Sequence, residues 1–148
     1  MTARLGPDPR ENYRHFTGVS TRWMDNDCYG HVNNVIYYSW FDTAVNGMLL
    51  ANGIAGQASP EAIALVVKTQ CEYFESVSFP QPVEIGLRIV KLGSSSVTYE
   101  LGVFTPGREL CHARGNYVHV YVDPATRRPI PMPQRHREAL SRHLARED

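Results

Sequence analysis

The main change in the repeat of hydrophobic and polar positions along the chain falls near residue 53. Before that point, apolar residues recur at steps of three and four from about Asn33 or Asn34 to Asn52, and they cover most of a helical circumference. This spacing predicts a long helix with Asn33 or Asn34 as its N-cap and Asn52-Gly53 as its end. A helix that is apolar almost all round must be enclosed by other elements.

After residue 53 the apolar positions alternate with a period of two, which predicts β-strands. A shorter alternating stretch precedes the helix. The predicted strands are residues 15–23, 62–76, 82–93, 94–105 and 109–123. Residues 1–14 are polar with two prolines, so we expect a loose N-terminus. Residues 124–148 are expected to form a C-terminal tail that ends in a short, arginine-rich helix.

The order of these elements predicts an α+β fold in one domain, residues 1–148. One strand, one long apolar helix and four long antiparallel strands fit a twisted five-stranded sheet that wraps around a central helix. A strand as long as 62–76 is an aggregation hazard if it stays unpaired at a sheet edge. We therefore expect this strand to pair with the same strand of a second subunit, in a homodimer or a dimer of dimers.

Composition and charge disfavour several classes of protein as assignments for this chain. The chain has 148 residues, of which 43% are hydrophobic and 20% are charged, as in an ordinary globular protein. Fifteen basic residues balance fifteen acidic ones, which disfavours a nucleic-acid-binding protein. The N-terminus lacks the apolar core of a signal peptide, and no apolar run approaches the length of a membrane span. With three cysteines at unpatterned spacings, these features predict a cytoplasmic protein with reduced thiols.

Chemically reactive side chains concentrate in DNDCYGHVNN, residues 25–34, immediately before the predicted helix. A helix N-terminus offers free N–H groups and about half a positive charge, which suits a developing oxyanion. Asp27 lies a few residues upstream, and Gly30 allows a sharp turn of the backbone between them. Asp25 and Asp27 could also satisfy backbone N–H groups of the turn, as aspartates commonly do.

The stretch RWMDNDCYGHVNN (22–34), followed by Tyr37-Tyr38 and Phe41-Asp42, resembles the hotdog-fold acyl-CoA thioesterases, in particular the 4-hydroxybenzoyl-CoA thioesterase-like group. The segment 115–123 resembles the last long strand of that family. The resemblance implies a hotdog fold over residues 15–133 and hydrolysis of a thioester. It implies that the second aspartate of the D-x-D element is the catalytic carboxylate and that the first helical amides form the oxyanion hole.

Carried over to this chain, the resemblance assigns a role to each residue of the candidate site. Asp27 is the base or nucleophile, and Asp25 is a structural residue. His31 is either a second acid–base group or a structural residue. The expected oxyanion donors are the backbone N–H groups of Val32, Asn33 and Asn34. The expected substrate-binding residues are Tyr29, Gly30, Tyr37 and Tyr38, although each of the last two is individually more typical of the core than of a pocket.

Two alternative functions for residues 25–36, a calcium-binding loop and a cysteine nucleophile, are disfavoured by their chemistry. A calcium loop starting at Asp25 would need a ligand at its fifth position, where Tyr29 stands, and a glutamate at its twelfth, where Ile36 stands. Cys28 with His31 could form a nucleophile–base pair. Acyl transfer to Cys28 would only produce another thioester, so we expect Cys28 to be a packing residue. His112 and His119 do not form a zinc pair, and we expect neither a metal nor a cofactor.

The resemblance therefore predicts an acyl-CoA thioesterase. Three alternatives remain: a non-catalytic acyl-CoA-binding protein of the same fold, a hotdog dehydratase or hydratase, and an interaction module. A dehydratase commonly carries a G-D-x-N-P-x-H element, which this stretch does not match. The acyl chain and the carrier, CoA or acyl carrier protein, are not encoded in any pattern recognised in the sequence.

Overall fold

The fold of the protein, taken from a computed structural model that describes residues 6–56 and 59–145, is a five-stranded antiparallel sheet around one long helix. The strands follow the order β1-β3-β4-β5-β2 across the sheet. The elements are β1 (His15–Val19), α1 (Ile36–Ala51), β2 (Ile63–Tyr73), β3 (Val83–Leu92), β4 (Ser96–Phe104), β5 (Ala113–Val122) and α2 (Gln134–Ser141). The predicted α+β hotdog architecture is confirmed.

The core lies between α1 and the concave face of the sheet. Seven residues of α1 are buried, and the alternating inward positions of β3 and β4 meet them. Phe41, at the centre of the helix, is fully buried against Gly115 of β5. A Cβ atom at position 115 would lie 2.4 Å from the Phe41 ring, so glycine is what allows the helix to approach the sheet this closely.

The N-terminal segment differs from its prediction. Residues 1–5 lie outside the described residues, but residues 8–13 pack on the convex face of the sheet instead of being loose. Asp8 and Tyr13 are each 4% exposed, and the Tyr13 hydroxyl donates to Asp8 Oδ2 at 3.0 Å. The Arg114 guanidinium donates to Asp8 Oδ1 at 3.2 Å. A buried ion pair therefore holds this segment on the sheet. The polar composition of residues 1–14 did not indicate this contact.

The C-terminal tail returns to the same end of the molecule as the end of α1. Its helix, α2, buries His136, Ala139 and Leu140, so the arginine-rich helical end is anchored by an apolar side. His136 hydrogen-bonds the Tyr121 hydroxyl of β5 through Nδ1 at 2.7 Å. In the part of the chain that the structure describes, no helix is long and apolar enough to cross a membrane.

Candidate active site

The turn before α1 has a backbone that is fixed by its own hydrogen bonds. The Asp27 N–H donates to the His31 carbonyl at 2.8 Å, and the Gly30 N–H donates to the Asp27 carbonyl at 3.1 Å. Gly30 has φ 81°, in the left-handed region that favours glycine. The Ser78 hydroxyl donates to the Gly30 carbonyl at 2.8 Å and ties the turn to the β2–β3 connection. Asp27 is thus presented on a defined loop.

The two aspartates of the D-x-D element have different environments. Asp25 is 1% exposed, and its carboxylate accepts the Arg22 N–H at 2.8 Å and the Arg22 Nε–H at 3.0 Å. Asp27 is half-buried, and its Oδ1 accepts the Tyr29 N–H at 2.8 Å. Its Oδ2 has no hydrogen-bond partner among the described residues. The Asp25 carboxylate is therefore bonded within the turn, while Asp27 keeps one carboxylate oxygen without a hydrogen bond to any described residue.

Helix α1 begins one to two residues later than the sequence predicts, at Ile36. Asn33 nevertheless closes the first turn from outside the helix. Its side-chain Oδ1 accepts the Val35 N–H at 3.2 Å, and its carbonyl accepts the Ile36 N–H at 3.0 Å. The periodicity of apolar residues cannot separate such a capping turn from the helix that follows it.

The oxyanion donors predicted at Val32 and Asn33 require correction. The Val32 N–H donates to the Val77 carbonyl and the Asn33 N–H donates to the Asp25 carbonyl, each at 2.8 Å. Because both amides already have strong backbone acceptors, neither is free to bind an oxyanion. Of the three predicted donors, only the Asn34 N–H has no acceptor among the described residues.

A small cavity of about 230 Å³ opens beside this helix start. Its lining residues are Val32, Asn34, Tyr37, Tyr73, Phe74, Glu75 and Ser76. The Tyr73 hydroxyl donates to the Asn34 carbonyl at 2.8 Å, and its ring meets the Tyr37 ring edge-on with centroids 5.0 Å apart. The end of β2 therefore forms one wall of the site, which no sequence pattern indicated, because the meeting of β2 and α1 is a tertiary contact.

The predicted substrate-binding residues separate into two groups. Tyr37 is 3% exposed and lines the cavity, so it belongs both to the core and to the site. Tyr38 is half-buried against the Phe41 ring and does not line the cavity. Tyr29 and Gly30 lie on the exposed side of the turn, and Tyr29 is 81% exposed.

Cys28 and His31 are both exposed on the turn. The expectation that Cys28 packs against other residues is therefore wrong. Neither side chain hydrogen-bonds a described residue, so His31 does not orient the Asp27 carboxylate directly. Cys28 and His31 do not form a hydrogen-bonded nucleophile–base pair in this structure.

Glu75 contributes a carboxylate to the cavity lining, to which Asp27 does not belong, and no sequence pattern pointed to Glu75. Its Oε2 forms an ion pair with the Arg108 guanidinium, whose hydrogen bond and charge lower the pKa of Glu75. Glu75 is thus an anion near neutral pH and is already paired. Among residues 6–56 and 59–145, no group of three His, Cys, Asp or Glu side chains is arranged to hold a metal ion.

Comparison with known proteins identifies the family and supports the fold. The sequence pattern of the Thioesterase-like superfamily matches residues 20–140. The PA5185 protein of Pseudomonas aeruginosa is 48% identical, with a TM-score of 0.90 over 96% of this chain and 99% of that one. The PA2801 protein of the same organism, a proposed thioesterase, is 29% identical, with a TM-score of 0.75 over 85% of this chain and 97% of that one. The uncharacterised YsmA protein of Bacillus subtilis is 25% identical over 89 residues, which is 60% of either chain.

Proposed function

Because the chain belongs to the thioesterase-like superfamily, we propose that it hydrolyses the thioester bond of an acyl-CoA to a free acid and CoA. The family match supports thioester hydrolysis as the class of reaction. One structural observation carries the assignment of the site: Asp27 has a free carboxylate oxygen on a fixed turn, a few residues before the free Asn34 amide at the start of α1.

In the proposed reaction, Asp27 Oδ2 takes a proton from a water molecule, and the resulting hydroxide attacks the thioester carbonyl carbon. The tetrahedral intermediate then expels the thiolate as the C–S bond breaks, and the thiolate takes the proton from Asp27. Alternatively, the same carboxylate oxygen attacks the carbonyl carbon directly, the C–S bond breaks to release the thiolate, and an anhydride forms. Water then cleaves the anhydride into the free acid and Asp27, whose carboxyl proton passes to the thiolate. Both routes need one unengaged oxygen on Asp27.

The negative charge that develops on the substrate oxygen needs a donor. We assign this role to the Asn34 N–H, supported by the positive end of the α1 dipole. Tyr37 and the end of β2 are the walls that would hold the thioester against this amide. His31 lies between Asp27 and the helix start along the chain, so we assign it a secondary role in contacting substrate, and His31→Ala should lower turnover less than a change at Asp27.

The protein is proposed to act as a homodimer that pairs through β2. This strand is a sheet edge of eleven residues, and most of its side chains are exposed. Exposed apolar residues also surround the turn before α1: Trp23 (78%), Met24 (73%), Tyr29 (81%) and Val35 (59%). Such an unpaired edge and apolar surface favour a partner, and a second copy of the chain supplies an identical edge.

A two-fold axis perpendicular to the sheet would pair the two β2 strands antiparallel, with both α1 helices on one face. The end of one β2, at Tyr73, would then lie beside the beginning of the other, at Ile63. Tyr73 contacts the helix start in its own chain. Each proposed active site would thus lie at the boundary between the subunits.

The substitution Asp27→Asn tests the proposed chemistry, because it keeps the size of the side chain and removes its basicity and nucleophilicity. Hydrolysis should fall by at least about 10²-fold. Binding of acyl-CoA should persist, since the Asn34 amide and the cavity remain. Thiol release measures the first effect, and calorimetric titration measures the second.

Asp123→Asn is the matched control. Asp123 Oδ1 accepts the N–H groups of Ala125 and Thr126 at 2.9 Å, so it caps a turn as Asp27 does, but it lies after β5. This variant should keep full activity. Full activity in Asp27→Asn would remove that residue from the mechanism. Binding without hydrolysis by the wild type, across short, long and aromatic acyl-CoAs, would favour a non-catalytic acyl-CoA-binding protein.

A further inference from the structure

A larger cavity, of about 500 Å³, lies at the opposite end of α1 from the turn. Its walls come from the end of α1, the segment before β2, the end of β5 and α2. Most of the lining is apolar. The polar residues in it are Asn46, Ser59, His119, Tyr121 and His136, and none of the described lining residues is Lys, Arg, Asp or Glu.

Both ring nitrogens of His136 are already hydrogen-bonded. Nε2 bonds the Ser59 hydroxyl, and Nδ1 bonds the Tyr121 hydroxyl at 2.7 Å. One ring nitrogen of a neutral imidazole donates and the other accepts, so these two hydroxyls satisfy both. These hydrogen bonds join Ser59, His136 and Tyr121 and link the segment before β2 to α2 and β5. His136 therefore has no ring nitrogen left to bind a ligand.

His119 is different, because its imidazole has no hydrogen bond to any described residue. It is 3% exposed, lies on the side of β5 that faces α1, and contacts the rings of Tyr99 and Tyr117 at centroid distances of 5.6 and 5.0 Å. Its Nδ1 is buried without a partner. Burial lowers the pKa of His119 to about 4, so the ring is neutral near pH 7. Buried polar groups in native proteins are nearly always paired, so this ring is the exception in the cavity wall.

We place the junction between this cavity and the proposed active site at the subunit boundary, because the two lie at opposite ends of α1 within one chain. Within one chain, Ile36 and Leu49 are separated by roughly 20 Å at 1.5 Å of rise per residue. Ile63 and Ala64, at the beginning of β2, line the cavity. In the proposed antiparallel pairing, the beginning of β2 lies beside the end of the partner's β2 and therefore beside the partner's helix start.

We propose that this cavity receives the distal part of the acyl group, and that His119 hydrogen-bonds an uncharged oxygen there, a hydroxyl or a keto group. This inference rests on the proposed thioesterase function and the proposed dimer. The apolar walls suit a hydrocarbon chain or ring. A carboxylate or an ammonium group at the same place would be buried without a charged partner, so the cavity selects against both.

The test compares acyl-CoAs of one chain length that differ only in the position of a single hydroxyl group, together with the unsubstituted parent and a terminal carboxylate. For wild-type protein, we expect one hydroxylated compound to exceed the parent in kcat/KM by about tenfold, the value of one good buried hydrogen bond. The carboxylate compound should be the poorest substrate. In His119→Leu the preference over the parent should disappear, and His119→Gln, which keeps a donor and an acceptor, should retain part of it.

His112→Leu is the matched control. His112 is 4% exposed and its Nδ1 is also without a partner, but it does not line the cavity. This variant should keep the wild-type preference. A loss of preference in both leucine variants would assign the effect to a general loss of buried polarity and overturn the role of His119.

Calorimetric binding of the same compounds gives a readout that does not need turnover. The inference would be supported if wild type bound one hydroxylated compound more tightly than the parent and His119→Leu bound both with equal affinity. If that result came without hydrolysis of any compound, the thioesterase proposal would fail and the inference about His119 would stand. Hydrolysis at equal rates and binding at equal affinities for the whole series would overturn the inference and leave the thioesterase proposal intact.

Discussion

Asp25 and Asp27 stand two residues apart and have opposite surroundings. Asp25 is buried in the turn, and its carboxylate accepts hydrogen bonds from Arg22. One Asp27 oxygen accepts the Tyr29 N–H, and the other has no hydrogen bond to a described residue. A carboxylate that must reach a substrate needs an oxygen without a protein partner. At the scale of single residues, the chemistry of this turn therefore depends on which oxygen atoms the backbone leaves free.

Cys28 lies next to Asp27 and is exposed, so a role as nucleophile can be tested directly. An acyl group on this thiol would still be a thioester, and its hydrolysis would remain as difficult as before. We therefore expect Cys28→Ser to keep most of the thioesterase activity in a thiol-release assay. A fall of several orders of magnitude in a variant with an unchanged circular dichroism spectrum would make Cys28 the nucleophile.

His119 also links stability to pH. Its pKa is about 4 in the folded protein because of burial, against 6.5 in the unfolded chain. The unfolded state thus binds more protons between these values, and stability falls as the pH drops through that window. The loss attributable to His119 should reach about 3 kcal/mol at pH 4. Urea unfolding at pH 7 and pH 4 should therefore show a smaller difference for His119→Gln than for wild type, and equal differences would contradict this prediction.

At the scale of elements, the packing of α1 on the sheet depends on glycine at one point. Gly115 leaves no room for a Cβ atom beside Phe41, whereas Gly47, within α1 itself, has open space around the position of its missing Cβ. The same substitution at these two glycines should therefore have opposite effects on stability.

Gly115→Ala should lower the free energy of unfolding by about 1–3 kcal/mol, the usual effect of overpacking a core. Gly47→Ala should raise it by about 0.5–1 kcal/mol, because alanine favours the helix and restricts the unfolded chain. Chemical denaturation of both variants measures the two changes. A stabilised Gly115→Ala protein would show that α1 can shift away from β5 at little cost.

Periodicity predicted α1 and the five strands to within a few residues, because burial on one face imposes the 3.6-residue and two-residue repeats directly. It missed the start of α1, where two bonds to Asn33 decide the geometry. It also missed Tyr73 and Glu75 at the site. The path of β2 in the fold brings these residues to the helix start. Such a contact between distant parts of the chain leaves no periodic pattern in the sequence.

At the scale of the whole molecule, β2 should decide the oligomeric state. Val67 is 59% exposed at a register shift of β2, and Val90 is 40% exposed at a register shift of β3. β2 lies at an edge of the sheet, whereas β3 lies between β1 and β4. Val67→Asp should convert the proposed dimer to a monomer in light scattering, because a carboxylate would be buried in the paired edge. Val90→Asp should leave the dimer intact, and dissociation of both variants, or a monomeric wild type at micromolar concentration, would refute pairing through β2.

The order of strands in the sheet also affects how the chain folds during synthesis. Both edge strands are made before the strands they pair with: β1 waits for β3, and β2 pairs with β5, whose last residue is Val122. The apolar sides of α1 are made early and stay uncovered until most of the polypeptide has left the ribosome. We therefore expect the nascent chain to expose the apolar surface of α1 until β5 has been made, which makes it a candidate client for chaperones.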